Sequence, residues 1–439
     1  MGILSSIKKR EETFKERLSL LEKKEPSWFL EQRRDAFKQF SKTGLPTRKD
    51  EEWKYLNLSP LSAADFGEGK TTQKVTLPDW PSLADTIIIT IVNGKWDAKL
   101  SHNLKELPKE VVISNLSDAM GSRIDLKKNI NHPVADSNSL LFLNTAFFDC
   151  GLFLSIPDKT AVKKAIVLWH IVTHQENSLV LPRSLITLGK SSKLDLVEFF
   201  MGQTEASYLT NNVTEIVLGE SSQLNHLRIQ DENKNSHHFS LTHVSQSYQS
   251  RYTSASFSSG AHISRQQCHV MMDAEKTQCN LSGLFIAGHN QQMDHHVRID
   301  HLKPEGTSST LFKGIVDGEA KGIFNGKVIV HPNAWHTDAW QKSNNLLLSP
   351  EAEIDPKPQL EIFAHDVKCS HGATVGALDP MALFYLNSRG ISLQKAQELL
   401  TYGFAHEFQV PFDWMKNNFE CFLTQKLTGL KFGGAYEEV

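Results

Sequence analysis

The chain has 439 residues, 40% of them hydrophobic, and a formal net charge of −3, enough material for one large body with appendages or for two to three domains. The near-neutral balance gives no electrostatic reason to expect nucleic acid or an anionic membrane as a partner. Five cysteines, at positions 150, 268, 279, 369 and 421, are scattered and odd in number, which argues against a disulfide framework and fits a reducing compartment.

The first residues, Met-Gly-Ile-Leu-Ser-Ser followed by a charged run, lack the apolar core of a secretory signal. Their match to an N-myristoylation pattern is formal only. No apolar run approaches the length of a membrane span, so a cytoplasmic protein is expected. Residues 11–24 are charged, with Phe14, Leu18 and Leu21 spaced as on one helix face, and 28–40 repeat aromatic positions around Arg33, Arg34 and Asp35. Pro46 closes this helical part, and Trp53 and Tyr55 open a less regular link. The pattern then changes period. An apolar run ending at Val92, an Asn93-Gly94 turn and the run Lys95–Leu100 predict a β-hairpin.

From about Val162 short alternating runs dominate, and the chain repeats itself. LGKSSKL at 188–194 returns as LGESSQL at 218–224, an offset of 218 − 188 = 30 residues, and a looser echo, LSPEAEI, stands at 348–354. Each of the first two copies leads into an alternating strand. Stacked coils, none able to bury its apolar side alone, produce such a pattern, and an ordinary antiparallel sandwich remains the alternative. On the coil reading, Leu227 and Ile229 face inward and Arg228 and Gln230 face water, with Gly189–Ser192 and Gly219–Ser222 as corners. Asp195 and Glu198 lie on one such strand without a second convergent acidic pair, as a carbohydrate- or acyl-group-processing β-helix enzyme would need.

Residues 344–376 couple two strand-like runs to Cys369-Ser370-His371-Gly372. Residues two apart on a strand share a face, so Cys369 and His371 project together, and a thiol beside an imidazole can hold a soft or borderline metal. Two ligands do not complete a site. The bland reading makes His371 a histidine fixed by a carboxylate such as Asp366, and Cys369, whose same-face neighbour is Val367, a packed thiol. Histidines 289, 295, 296 and 301 are a weaker metal signal, because alternation separates His295 from His296 and no HExxH or CxxC accompanies them. Helical patterns close the chain. Asp379-Pro380 starts one that stops at Gly390, Ser392 caps a second with Leu393, Ala396, Leu399, Leu400 and Phe404 as its stripe, and 413–427 carries Trp414, Met415, Phe419 and Phe422.

Three stretches resemble one family. LEIFAHDVKCSHGATVG with the following LFYLNSRGI, the block 293–345, and GLPTRKDEEWKYLNLSPL at 44–61 are similar to the SufB/SufD scaffold proteins of iron–sulfur cluster assembly. The N-terminal cysteine motif common in the SufB branch is missing, which favours the SufD branch. His365 stands where an Asp-Asp pair is common, and Ala334-Trp335-His336-Thr337 replaces a more usual Ala-Gln-Lys-Thr. The resemblance implies a mainly β fold: a right-handed parallel β-helix core over 81–377, an N-terminal helical region over 1–80, and a C-terminal helical region over 378–439 that docks the ATPase SufC. It implies a non-catalytic scaffold paired with SufB, in a complex of one SufB, one SufD and two SufC, with homodimerisation possible for the isolated chain. It also implies that a nascent iron–sulfur cluster forms transiently at the SufB interface, with His371 and Cys369 as candidate metal-site residues and Glu407 as a looser one. No resident cofactor is expected in the isolated chain, although the family has been linked to reduced flavin. The absence of GxxxxGK[ST] leaves ATP hydrolysis to the partner.

Overall fold

A computed structural model describes every residue except 1–6, 65, 68, 70–74, 78–84, 123, 131–138, 150, 175–176 and 431–439. Three helices lead, α1 (Ile7–Leu21), α2 (Ser27–Thr43) and α3 (Ser59–Ala63). Two sheets follow. The first runs, in hydrogen-bonded order, β2 (Lys95–His102), β1 (Ile87–Val92), β5 (Ile166–Val172), β8 (Lys193–Gly202), β10 (Gln223–Asp231), β12 (Arg251–Ser258), β14 (Gln278–Ala287), β16 (Thr307–Val316), β18 (Asp338–Leu347) and β20 (Lys368–Gly376). The second runs β3 (Val112–Asn115), β4 (Leu152–Ile156), β7 (Arg183–Leu188), β9 (Tyr208–Leu218), β11 (His237–Gln246), β13 (Ile263–Met272), β15 (Gln292–His301), β17 (Lys321–Val330) and β19 (Glu353–Ile362), with β6 (Ser178–Val180) beside β9. Two further helices, α4 (Leu116–Ser122) and α5 (Ser139–Phe147), precede the long strands, and α6 (Pro380–Ser388), α7 (Leu393–Ala405) and α8 (Lys416–Thr428) end the chain.

The β1–β2 hairpin and the β3–β4 pair are antiparallel; the strands stacked beyond them are parallel. The chain alternates between the sheets, two strands per coil, so the fold is mainly β, a parallel β-solenoid flanked by helices, as expected. Coil length is nearly constant: strand starts give 223 − 193 = 30, 278 − 251 = 27 and 338 − 307 = 31 residues.

The corners explain the repeat. Ser191 and Ser221 take a left-handed backbone with φ of 56° each, and Ser192 and Ser222 donate their hydroxyls to the Gly189 and Gly219 carbonyls at 2.7 and 2.8 Å. Short polar residues tolerate that conformation and hydrogen-bond locally. Lys190 and Glu220 then pair from corner to corner at 2.8 Å. The echo at 348–354 sits at the opposite corner, between β18 and β19, where Ser349 donates to the Gly318 carbonyl at 2.6 Å.

One facing is reversed. Leu227 and Ile229 are buried, but on the outside of the first sheet under the C-terminal helices, while Arg228 and Gln230 are buried inside the coil. Arg228 Nη1 crosses the interior to donate to Thr242 Oγ1 of the second sheet at 2.9 Å. Period two shows which residues share a face; where both faces are covered it does not show which face is inward.

At the first end α1, α2 and α5 pack through Phe14, Phe37 and Phe147. Buried Arg33 forks onto Glu25 at 2.6 and 2.7 Å and donates to the carbonyls of Thr145, Ala146 and Phe148. At the other end Asp379 and Ser392 cap α6 and α7, accepting from Met381 N at 2.9 Å and Lys395 N at 3.4 Å. On α8, Phe419 and Phe422 meet Phe257 edge-on, each with centroids 5.4 Å apart.

Candidate functional site

The solenoid is open at its last coil. Among the described residues β19 and β20 each have a strand on one side only, so the other edge of each presents unpaired N–H and C=O groups. Around that edge Ile362, Phe363 and Val375 are more than 40% exposed. A bare edge flanked by apolar side chains has the make-up of an interface.

Cys369 and His371 lie on β20. Their register partners on β18 are Ala339 and Gln341, both buried inside the coil, so the pair continues interior columns to the mouth of the solenoid, as alternation along the strand predicts. Cys369 is half-buried against the apolar interior. Burial raises its thiol pKa, Asp338 adds to this, and a backbone hydrogen bond from Ala339 opposes it, so the thiol holds its proton at neutral pH. His371 is exposed, and among the described residues nothing hydrogen-bonds its ring. Beneath it, Gln341 donates to the Gln359 carbonyl at 3.0 Å and leaves its own buried Oε1 unpartnered.

The carboxylate considered for fixing His371 is engaged elsewhere: Asp366 Oδ2 lies 2.9 Å from His336 Nδ1 at a corner. Glu407 stands apart from β20. It follows α7 and pairs with Lys313 of β16, whose ammonium also sits 4.0 Å from the Phe404 ring centroid. The four histidines do not converge. His295 is inside the coil, its ring centroid 5.2 Å from Phe285, while His296 is outside between Asp294 and Glu52; His301 is bonded to Ser308, and His289 occupies a corner with φ of 58°. Among the described residues no group of three or more His, Cys, Asp or Glu side chains is arranged to hold a metal ion, and no helix is long and apolar enough to cross a membrane.

A buried polar network was not anticipated. Glu198, fully buried, is hydrogen-bonded to His226 Nε2 at 3.0 Å and ion-paired with Arg228 Nε at 3.2 Å, with His170 Nε2 at 3.5 Å. Burial alone would raise its pKa; the two histidines and the Arg228 charge hold it well below the carboxylate range instead. Tyr252 closes the network 3.0 Å from His226 Nδ1. Cys268, partly buried and packed against the apolar interior of the coil, has its pKa pushed up to about 12 by desolvation. The even-numbered polar residues His226, Arg228 and Gln230, alternating with Leu227 and Ile229, are the sequence signal that marks this interior. Asp195 is outside the network and accepts from Asn225 at 2.9 Å, so Asp195 and Glu198 do not form a paired acid site.

Two family models match. The SufBD core domain of the SUF system for FeS cluster assembly covers residues 170–404, and the SufBD N-terminal region covers 5–168. An iron–sulfur cluster assembly SufBD family protein of Synechocystis is 32% identical over 402 residues, 88% of each chain. The Escherichia coli iron–sulfur cluster assembly protein SufD is 30% identical over 387 residues, 86% of this chain and 87% of that one. The chloroplastic protein ABCI7 of Arabidopsis thaliana is 30% identical over 378 residues, 83% and 78% of the two chains.

Proposed function

Because the chain belongs to the SufBD family of iron–sulfur cluster assembly proteins, we propose that it is a SufD-type, non-catalytic scaffold subunit working in the cytoplasm. It pairs with SufB through the open β19/β20 end and carries the ATPase SufC on its C-terminal helices. The observation that carries this reading is the position of Cys369 and His371 on the edge strand beside exposed Ile362, Phe363 and Val375. A second solenoid added to that edge would extend both sheets and cover the apolar rim. Two side chains of this chain would then face ligands supplied by SufB, and the nascent cluster would form between them as cargo.

The two residues are unequally prepared. An exposed imidazole without a partner among the described residues can turn to an incoming iron with no bond to break, whereas the Cys369 thiol must first lose a proton that burial favours. His371 therefore takes metal first in this scheme, and Cys369 joins once the metal or the partner has lowered its pKa. Exposed Met381, Phe384 and Tyr385 on α6 give SufC an apolar foothold near the same end of the chain.

The test is anaerobic co-expression with SufB and SufC, measuring iron, acid-labile sulfide and subunit stoichiometry for wild type and His371→Ala. The reading expects the same complex in both and a loss of iron in the variant. Equal iron would place the ligands on SufB, and failure of the wild-type chain to assemble would overturn the SufD assignment.

A further inference from the structure

Beyond α2, the segment from Thr43 to Trp53 crosses the outer face of the second sheet, and a groove of about 660 Å³ lies between them, within the size range of small-molecule sites. Its floor is built from two adjacent rungs across the strands. One runs Leu241, Gln267, His296, Asn325, and the other His269, Arg298, Lys327, each in hydrogen-bonded register from strand to strand. Lys49, Glu51 and Glu52 contribute from the roof.

The acidic groups of this groove are already used. Glu52 accepts from Asn325 at 3.1 Å and stands 3.3 Å from His296 Nδ1; Glu51 takes Lys54 at 3.1 Å and Lys357 at 2.9 Å; Asp50 accepts from the Thr47 amide at 2.7 Å. The unspent capacity lies elsewhere. Ser139 and His269 line the groove, and the Ser139 hydroxyl and His269 Nδ1, both buried, have no partner among the described residues. His269 Nε2 is fixed on Asp300 at 2.7 Å, so the ring cannot turn without losing that bond. The Lys49 ammonium meets no described acceptor, and Lys327 pairs at 2.8 Å with Glu361, which does not line the groove.

We propose that this groove binds a small anionic metabolite bearing a phosphate or carboxylate group. A cationic ligand would find each roof carboxylate occupied, and an apolar one would leave Ser139 and His269 buried and unpaired. An anion held by Lys49 and Lys327 satisfies the Ser139 hydroxyl, and a ligand hydroxyl or the proton of an acid satisfies His269 Nδ1.

The experiment is isothermal titration of the full chain with inorganic pyrophosphate and, separately, with citrate, for wild type, Lys49→Ala and Ser139→Ala, alongside the thermal midpoint of each free protein. Saturable binding of one probe is expected, and which probe binds separates a phosphate-bearing from a carboxylate-bearing ligand. Lys49→Ala, on an exposed side chain, should weaken binding about tenfold, the scale of one charge-assisted hydrogen bond. Ser139→Ala should weaken binding while leaving the free protein's midpoint equal or higher, because its hydroxyl has no partner to lose. No saturation with either probe at millimolar concentration overturns the proposal, as does wild-type affinity in both variants. A lowered midpoint for unliganded Ser139→Ala would also overturn it, since the hydroxyl would then be structural.

Discussion

The ammonium of Lys313 is paired with the carboxylate of Glu407, 94 residues further along the chain. The lysine side chain is 1% exposed and the glutamate 63%, so a charge from the solenoid wall is neutralised from outside by the C-terminal helices. Lys313 is in register with Asn344, and Asn344 with Thr374 of β20, where the Thr374 hydroxyl donates to Asn344 Oδ1 at 3.1 Å. The helices and the strand that bears Cys369 and His371 are thereby joined along one outer column.

Glu407→Gln leaves a buried ammonium without its counter-charge and should cost about 1–2 kcal/mol, a range reduced because the carboxylate is mostly in water. Lys313→Met removes the charge and keeps the chain length, so it should cost less than Glu407→Gln. Urea unfolding of both variants decides the order, and the reverse order would mean that Glu407 contributes nothing to holding Lys313.

Stability should fall on mild acidification. Burial pushes His295 down to about 3 and His237 and His301 to about 4. A histidine with a depressed folded pKa is stabilising above its unfolded value, about 6.5, and that contribution is lost as pH falls toward the folded value. Each such histidine should remove about 1.4 kcal/mol per pH unit within its window. The depressed carboxylates Glu198 and Asp294 add to the loss only below about pH 4. His295→Phe, placed between Phe285 and Phe312, should flatten the slope of unfolding free energy between pH 6 and 4. An unchanged slope would show that His295 is not buried in its neutral form.

Glu198→Ala should destabilise by about 3–5 kcal/mol, the cost of leaving a buried charge uncompensated, because Arg228 loses its counter-ion inside the coil. Adding Arg228→Met should restore part of that loss. Thermal denaturation of the single and double variants measures the coupling, and simple additivity would show that the network is not a unit.

Ile362→Lys with Val375→Lys changes two exposed side chains at the open end. Folding free energy should change by less than about 0.5 kcal/mol per site. Association with SufB should weaken severely, read by co-purification and sedimentation. Undiminished association would move the interface away from this end.

Much of the architecture was legible because the solenoid writes one coil several times. The Gly-x-Ser-Ser corners appear as a repeat since each needs a left-handed residue followed by a hydroxyl that can reach back to a carbonyl. The inside of the coil was not legible from 223–231, where Leu227 and Ile229 satisfy an apolar face just as well outside, under helices nearly two hundred residues away. Cys369 and His371 could be placed on a common face from spacing alone, but their arrival at an open mouth depends on β20 being the last strand. The groove beneath Thr43–Trp53 left no local trace, because its floor draws one or two residues from each of four successive coils.

The outer column also acts as a ruler. Neighbouring strands stand about 4.8 Å apart, so Lys313, where the terminal helices are fastened, lies two steps, or about 10 Å, from Thr374 on the strand of His371. Coils contact their neighbours through a repeated register, so gaining or losing one coil between β16 and β20 would alter this distance by a whole step and leave every remaining pairing intact. The separation between the terminal helices and the open edge can therefore change only in discrete increments, which fixes the lever arm through which any movement of the helices reaches the mouth of the solenoid.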